Sequence, residues 1–140
     1  MGRFYPFKYW MIAAPDFKTT HRLKLMLSLD LPPFEAMKVS QIKEIRAGGG
    51  YERGGWLLKT ECIVHSDEVL IKSKDFTFRA KGKLGPFRYL ILYDADLRAP
   101  MGFWEEEECP TLRSGGTYTL KWKQNCLLMW RIQRRHPCAS

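Results

Sequence analysis

A cluster of glycines in the first half of the chain has the composition of a phosphate-binding loop. Residues 45–59 read IRAGGGYERGGWLLK and hold five of the chain's eleven glycines. A P-loop needs two glycines five positions apart, then a lysine that reaches the phosphates and a helix directly behind it. Gly50 and Gly55 have the spacing, but Trp56 stands in the lysine's place and a strand-like stretch follows. The pattern favours a bulged turn entering an edge strand, with Tyr51 packed over the neighbouring ladder.

Histidine, cysteine, serine and acidic residues do not combine into a catalytic or metal-binding pattern. His21, His65 and His136 form no H-x-x-x-H or H-E-x-x-H arrangement, and the cysteines form no C-x-x-C pair. The run Glu105–Glu108 offers carboxylates to a hard cation, but adjacent strand residues point to opposite faces. Ser114 precedes two glycines with no histidine or acid in a triad context, and turn chemistry explains it. We therefore predict no enzyme activity, no cofactor and no metal.

Length and composition predict one globular domain. A chain of 140 residues with 45% hydrophobic content is long enough to bury a core without a metal or a disulfide. Its apolar runs are far shorter than the roughly 20 residues that cross a bilayer. Pro6, Lys8 and Asp16 interrupt the apolar N-terminal stretch, so we expect no secretory signal and a reducing compartment. The cysteines expected as free thiols are Cys62, Cys109, Cys126 and Cys138.

Hydrophobic patterning indicates strands along most of the chain. HRLKLMLSLD places Leu23, Leu25, Leu27 and Leu29 on one side, which is typical of a half-buried strand. LPPFEAMKVSQIKEI allows a short helical turn. The runs GWLLKTECIV, EVLIK, DFTFRAK, FRYLILYDA, PMGFW, TYTLKWK and CLLMWRI then follow one another too closely for crossover helices. This spacing predicts an all-β, antiparallel β-sandwich or barrel.

The net charge of +8 raises the question of an acidic partner. Lysine and arginine are dense near both ends of the chain, which solvated strand faces and tails also explain. A competing hypothesis is a nucleic-acid-binding β-barrel, in which basic residues contact phosphates and exposed aromatic rings stack on bases. The rings considered for that platform are Phe87, Tyr118, Trp122 and Trp130.

Several short motifs occur in a fixed order and together resemble a widespread group of small structural proteins of tailed-bacteriophage virions. They are G-Y-x-x-G-G-x-x-L, an aromatic strand, R-Y-x-x-L-Y and S-G-G-x-x-x-L-x-W. The matching positions are Gly50, Tyr51, Gly54, Gly55 and Leu58; Phe76 and Phe78; Arg88, Tyr89, Leu92 and Tyr93; and Ser114, Gly115, Gly116, Leu120 and Trp122. The likeness extends from about Phe7 to Ile132. The chain departs from the pattern in its basic, aromatic N-terminus, its inserted charges and its C-terminal tail.

The resemblance implies a non-enzymatic capsid decoration or cement protein, with a neck, tail or fibre-attachment protein as the alternative. Expected partners are the major capsid protein, other virion subunits and further copies of the chain, in a virion assembled in the host cytoplasm without a membrane. The implied layout is a single β domain over residues 1–140. It comprises an extended N-terminal arm with a short helical segment (1–16), a sandwich or barrel core (17–132) and a C-terminal tail (133–140).

The N-terminal arm is the predicted contact with other virion subunits. It is rich in aromatic residues that a free arm in water does not hide, and it carries basic residues suited to an acidic capsid surface. An alternative is that the same aromatic residues complete the domain's own core. The proposed contact residues are Arg3, Tyr5, Phe7, Lys8, Tyr9 and Trp10.

Overall fold

The chain folds almost entirely into antiparallel β-structure, which confirms the predicted fold class. The computed structural model describes residues 3–8, 10, 22–65, 68–122 and 126–131. The strands within these ranges are β1 Phe4–Pro6, β2 Leu23–Ser28, β3 Trp56–Leu57, β4 Thr60–His65, β5 Glu68–Ser73, β6 Phe76–Arg79, β7 Tyr89–Asp94, β8 Ala99–Glu105, β9 Thr117–Leu120 and β10 Cys126–Arg131. A 3-10 turn at Val39–Gln41 is the short helical turn expected before the glycines.

The described strands form three antiparallel sheets. The largest has five strands in the order β1-β8-β7-β2-β3, a second has the order β10-β5-β4, and a third pairs β6 with β9. One core receives side chains from all three sheets, for example Leu25 of β2, Ile71 of β5 and Leu120 of β9. Side chains of the large sheet are thereby buried together with those of the two smaller sheets, as expected for a β-sandwich.

The five-stranded sheet is also covered on its second face. Met26 of β2 and Ile91 of β7 are fully buried there, in a cluster that includes Phe7, Ala36 and Ile42 from outside the neighbouring strands. The prediction of a half-buried strand is therefore wrong for β2. Its period-two pattern indicated burial on the leucine side alone, but the opposite side is buried as well. A methionine on the opposite side is apolar enough to be buried once flanking segments cover it.

The N-terminal residues are part of the domain. β1 pairs with β8, with Tyr5 opposite Phe103, and the Phe7 amide donates to the Met101 carbonyl at 3.0 Å. The Phe4 ring lies where a side chain at Gly102 would stand, with ring carbons 2.0–2.6 Å from that position. The prediction of an arm separate from the core is wrong for residues 4–7, because this glycine leaves room for the docked ring.

Some predicted features lie outside the described residues. They include Tyr9, most of the short N-terminal helical segment and the tail 133–140. Across the ranges that are described, no helix combines the length and the apolar character needed to span a bilayer.

Candidate functional site

The glycine cluster forms turns that direct Tyr51 into the core. Gly48 and Tyr51 exchange backbone hydrogen bonds of 2.9 and 3.0 Å, which closes a tight turn. Tyr51 is almost fully buried, and its ring meets Trp56 edge-on at a centroid distance of 5.1 Å. The predicted turn is confirmed. Its aromatic residue lies in the core and forms a structural anchor.

The second half of the cluster is fixed by contact with β2. Gly54 and Gly55 have φ of +94° and +80°, a left-handed region that glycine adopts without steric cost. A β-carbon at Gly55 would stand 1.8 Å from the Leu25 carbonyl oxygen, whereas one at Gly54 would meet nothing closer than 3.4 Å. Gly55 is thus required by both its dihedral angle and its close approach to β2.

A buried hydrogen-bond network surrounds Gly54. The Tyr51 hydroxyl accepts from the Leu27 amide at 3.1 Å and donates to the Glu44 carboxylate. The same carboxylate accepts from the Gly54 amide at 2.7 Å, and the Gly54 carbonyl accepts from the Tyr93 hydroxyl. One glycine is therefore held at both backbone groups, which links the loop before it to β2 and β7.

Burial sets the ionisation of this network. Desolvation, followed by the hydrogen bond to Glu44, raises the pKa of Tyr51 well above its ordinary value. Desolvation likewise raises the pKa of Tyr93. Both phenols are neutral at physiological pH, so they act as hydrogen-bond donors that fix the turn.

Beside this network lies an open cleft of about 1410 Å³. It is bounded by β2 and the end of β7, by the segment 38–47, by the turn at Arg53 and Gly54, and by the turn that follows β7. Seven basic residues line it, together with a single described acidic residue, Glu44. The basic residues are Arg22, Lys24, Lys38, Lys43, Arg46, Arg53 and Arg98.

The positive charge of the cleft is only partly neutralised by the protein. Arg22 pairs with Asp96 at 3.0 Å, and Lys43 pairs with Asp30 at 3.2 Å. Within the described part of the chain, the other five basic side chains form no ion pair. Because seven basic residues and one acidic residue, Glu44, line it among the described residues, the cleft presents an excess of cations to solvent.

Comparison with known proteins finds no matching family model, no matching curated protein and no matching solved structure.

The remaining motif residues do not converge on one site. Gly115, with φ of +83°, and Gly116 form a turn that exchanges 2.8 Å backbone hydrogen bonds with Ala80 beyond β6. Trp122 is buried, and its ring nitrogen donates to the Lys74 carbonyl at 3.0 Å. These positions determine turns and core packing.

The motif around β7 is likewise structural. Tyr89 and Tyr93 are buried on the second face of the five-stranded sheet. The Arg88 guanidinium nitrogen lies 3.3 Å from a Glu105 carboxylate oxygen on the paired strand β8. Of the four consecutive glutamates, Glu106 accepts from the Tyr118 hydroxyl. In the described portion of the structure, no group of three or more potential metal ligands occurs.

The stacking platform considered for nucleic acid is not formed. Phe87 is fully buried, Trp122 is nearly so, and Tyr118 packs against the same core. Their rings pack against other aromatic side chains; for example, Phe87 meets Tyr118 edge-on at 5.3 Å. Because buried rings do not stack on bases, this interpretation is wrong for Phe87 and Trp122, while Tyr118 is half-buried and bonds Glu106 through its hydroxyl. The side chain of Trp130 lies outside the described part.

The predicted arm contacts divide into two groups. Phe7 belongs to the core, and Trp10 packs against both hydrophobic clusters. Arg3, Tyr5 and Lys8 are exposed; the Arg3 guanidinium lies 5.7 Å from the Tyr5 ring centroid, and Lys8 pairs with Glu35 at 3.6 Å. The cysteines Cys62, Cys109 and Cys126 are free, and burial raises the pKa of the Cys62 thiol.

The basic cleft is the feature that sequence reasoning missed. Its cations come from β2, from the loop before the glycines and from the turn after β7, so no single window of sequence contains them. The spacing of Lys38, Lys43, Arg46 and Arg53 in one polar segment was the available signal. That segment becomes a wall because hydrogen bonds hold it to β2. They run through Tyr51 to Glu44 and Leu27, and from the Ile45 amide to the Leu27 carbonyl at 3.0 Å.

Proposed function

We propose that the chain is a non-enzymatic structural protein of a bacteriophage virion, a decoration or cement protein that binds the outer capsid and bridges major capsid subunits. The observation that carries the proposal is the ordered series of motifs from about Phe7 to Ile132. A neck, tail or fibre attachment is the alternative location in the same particle.

The positions of the motif residues support this proposal. Gly55 lies where only glycine fits, Tyr51 anchors the preceding turn, and Trp122 closes the core beneath Trp104 at a centroid distance of 5.1 Å. Residues with such roles are needed for the scaffold whatever partner it binds. A resemblance that consists of scaffold positions therefore supports shared architecture, and leaves the contact surfaces to vary between particles.

An exposed apolar segment supports a protein partner. Between β2 and the 3-10 turn, Leu31, Phe34 and Met37 are each at least half exposed. Several large apolar side chains in one short surface segment are typical of a binding site. Lys8, whose amide donates to the Phe34 carbonyl at 3.1 Å, lies beside this segment and pairs with the Glu35 carboxylate at 3.6 Å. We assign the main capsid contact to residues 31–37 and the adjoining exposed residues of the N-terminus.

Loading of purified protein onto capsids that lack it tests the proposal. We expect the wild-type chain to sediment with the capsids at saturable occupancy and to raise their melting temperature. Phe34→Asp should reduce occupancy, because a carboxylate replaces a contact ring. Met129→Asp is the matched control, since Met129 is exposed to a similar extent but lies on β10. Equal occupancy for both variants would overturn the assigned contact, and absence of wild-type loading would overturn the decoration role.

A further inference from the structure

The basic cleft combines positive charge with apolar walls. Met26 and Ile42 are buried at its floor, while Leu57 and Leu97 line it with more than half of their surface exposed. Two large exposed leucines beside a set of cations are costly to leave in water. The surface thus offers both apolar and ionic contacts to one ligand.

The arrangement of its cations favours carboxylates on an extended ligand. Arg46 and Arg53 reach the cleft from the segment that carries Glu44, and Arg98 reaches it from the turn after β7. A guanidinium group binds a carboxylate through two parallel hydrogen bonds. Cations from separate turns of the chain suit a ligand that carries several negative charges along its length.

The aromatic content of the cleft disfavours a single-stranded nucleic acid. Tyr93 is the aromatic residue among the described lining residues; it is buried, and its hydroxyl donates to the Gly54 carbonyl. Binding of single strands without sequence preference normally relies on exposed rings on which the bases stack. Exposed leucines instead accommodate aliphatic side chains of a polypeptide.

We propose that this cleft binds an extended acidic polypeptide segment of a partner protein, in which carboxylates are interspersed with aliphatic side chains. The carboxylates contact Arg46, Arg53 and Arg98, and the aliphatic side chains contact Leu57 and Leu97. The segment need not belong to a capsid subunit, so the site does not depend on the proposed virion role.

Residues 11–21 and the run Glu105–Glu108 of the chain itself do not match this ligand. Residues 11–21 contain one acidic residue, Asp16, against Lys18. The run Glu105–Glu108 is acidic but carries no aliphatic residue within it, and Glu105 and Glu106 are already engaged with Arg88 and Tyr118. Because the chain has a net charge of +8, a second copy is repelled by a basic cleft, and an acidic partner protein fits it better.

Fluorescence anisotropy with a labelled peptide tests the site directly. The probe is a soluble peptide in which pairs of glutamates flank single leucines. The controls are the same peptide with glutamine in place of glutamate, and an oligothymidine of equal charge. The double variant Arg46→Glu with Arg53→Glu should weaken binding of the acidic peptide at least about tenfold. Lys83→Glu with Lys121→Glu makes the same change in net charge away from the cleft, so it should weaken binding less than about twofold.

Several outcomes would overturn the proposal. Equal losses in the two double variants would mean that net charge alone attracts the peptide. Tighter binding of oligothymidine than of the peptide would identify a nucleic-acid site. Equal binding of the acidic and the glutamine peptides would show that the cations do not contribute to binding. Self-association abolished by the Arg46 and Arg53 substitutions would identify a second copy as the occupant. Arg98→Glu repeats the test from the turn after β7 if the double variant does not melt like the wild type.

Discussion

The Tyr51 hydroxyl donates a hydrogen bond to the Glu44 carboxylate, and it accepts one from the Leu27 amide at 3.1 Å. One buried phenol therefore connects the loop that carries Glu44 to the second strand. The same contact engages the cleft's described acidic group, which is half-buried. The glycine turn and the cleft wall therefore share one pair of side chains.

Loss of the Tyr51 hydroxyl should destabilise the fold. Tyr51→Phe leaves the Leu27 amide without its partner and the Glu44 carboxylate without a donor. We expect the free energy of unfolding to fall by about 1–3 kcal/mol, measured by urea denaturation at neutral pH. Tyr5→Phe is the control, because the Tyr5 side chain is 39% exposed. Equal effects of the two substitutions would show that the network contributes no stability.

Alkaline pH should lower the free energy of unfolding, because Tyr51 is buried. Burial raises the pKa of Tyr51 above its ordinary value near 10. Its contribution is therefore fully present below about pH 10 and is lost as pH rises further, because the unfolded chain releases the proton while the folded chain retains it. The predicted slope is about 1.4 kcal/mol per pH unit for this residue. Tyr51→Phe should show a shallower decline between pH 10 and 11, and parallel curves would contradict the prediction.

The two adjacent glycines should respond differently to alanine. Gly54→Ala introduces a strained left-handed residue with space for its methyl group, so we expect a loss of about 1–2 kcal/mol. Gly55→Ala adds a clash with the Leu25 carbonyl and should cost about 1–3 kcal/mol more. Thermal melting of the two variants provides the comparison. A Gly55 variant as stable as the Gly54 variant would contradict the close approach to β2.

The N-terminal residues should contribute to the stability of the isolated domain. Phe7 is fully buried in the cluster on the second face of the five-stranded sheet. Phe7→Ala should therefore lose about 3–5 kcal/mol of unfolding free energy. Tyr5→Ala, two residues away, should lose less, because part of that ring is already in water. Full stability of the Phe7 variant would restore the interpretation of this segment as a separate arm.

Local sequence patterns predicted the strands better than they predicted which faces of the sheets are covered. Alternation in TYTLKWK and the apolar run YLILY correctly indicated β9 and β7, because side-chain period is a local property. Burial of Met26 was not predictable in the same way, since Phe7 and Ala36 that cover it come from distant segments. Docking of Phe4 similarly depends on Gly102, almost a hundred residues later.

At the candidate site, the glycine turn was predictable from local sequence and the cleft was not. The missing lysine and the following strand identified a structural glycine turn, and the positive φ values of Gly54 and Gly55 confirm it. The cleft is lined by Arg53 and Arg98 from separate turns, which only the completed fold brings to one cleft. The aromatic residues expected at a surface, such as Phe87, are in the core because their large apolar area is better buried than displayed.

Localisation in an intact particle tests the proposed function most directly. Under the proposal a virus encodes the chain, and its particles can be purified through a density gradient. Their proteins are identified by mass spectrometry, and their structure is determined by cryo-electron microscopy. The proposal predicts that the chain is present and that density matching its five-stranded sheet lies on the outer capsid across neighbouring major capsid subunits. Absence of the chain from the purified particles, or density confined to the particle interior, would contradict it.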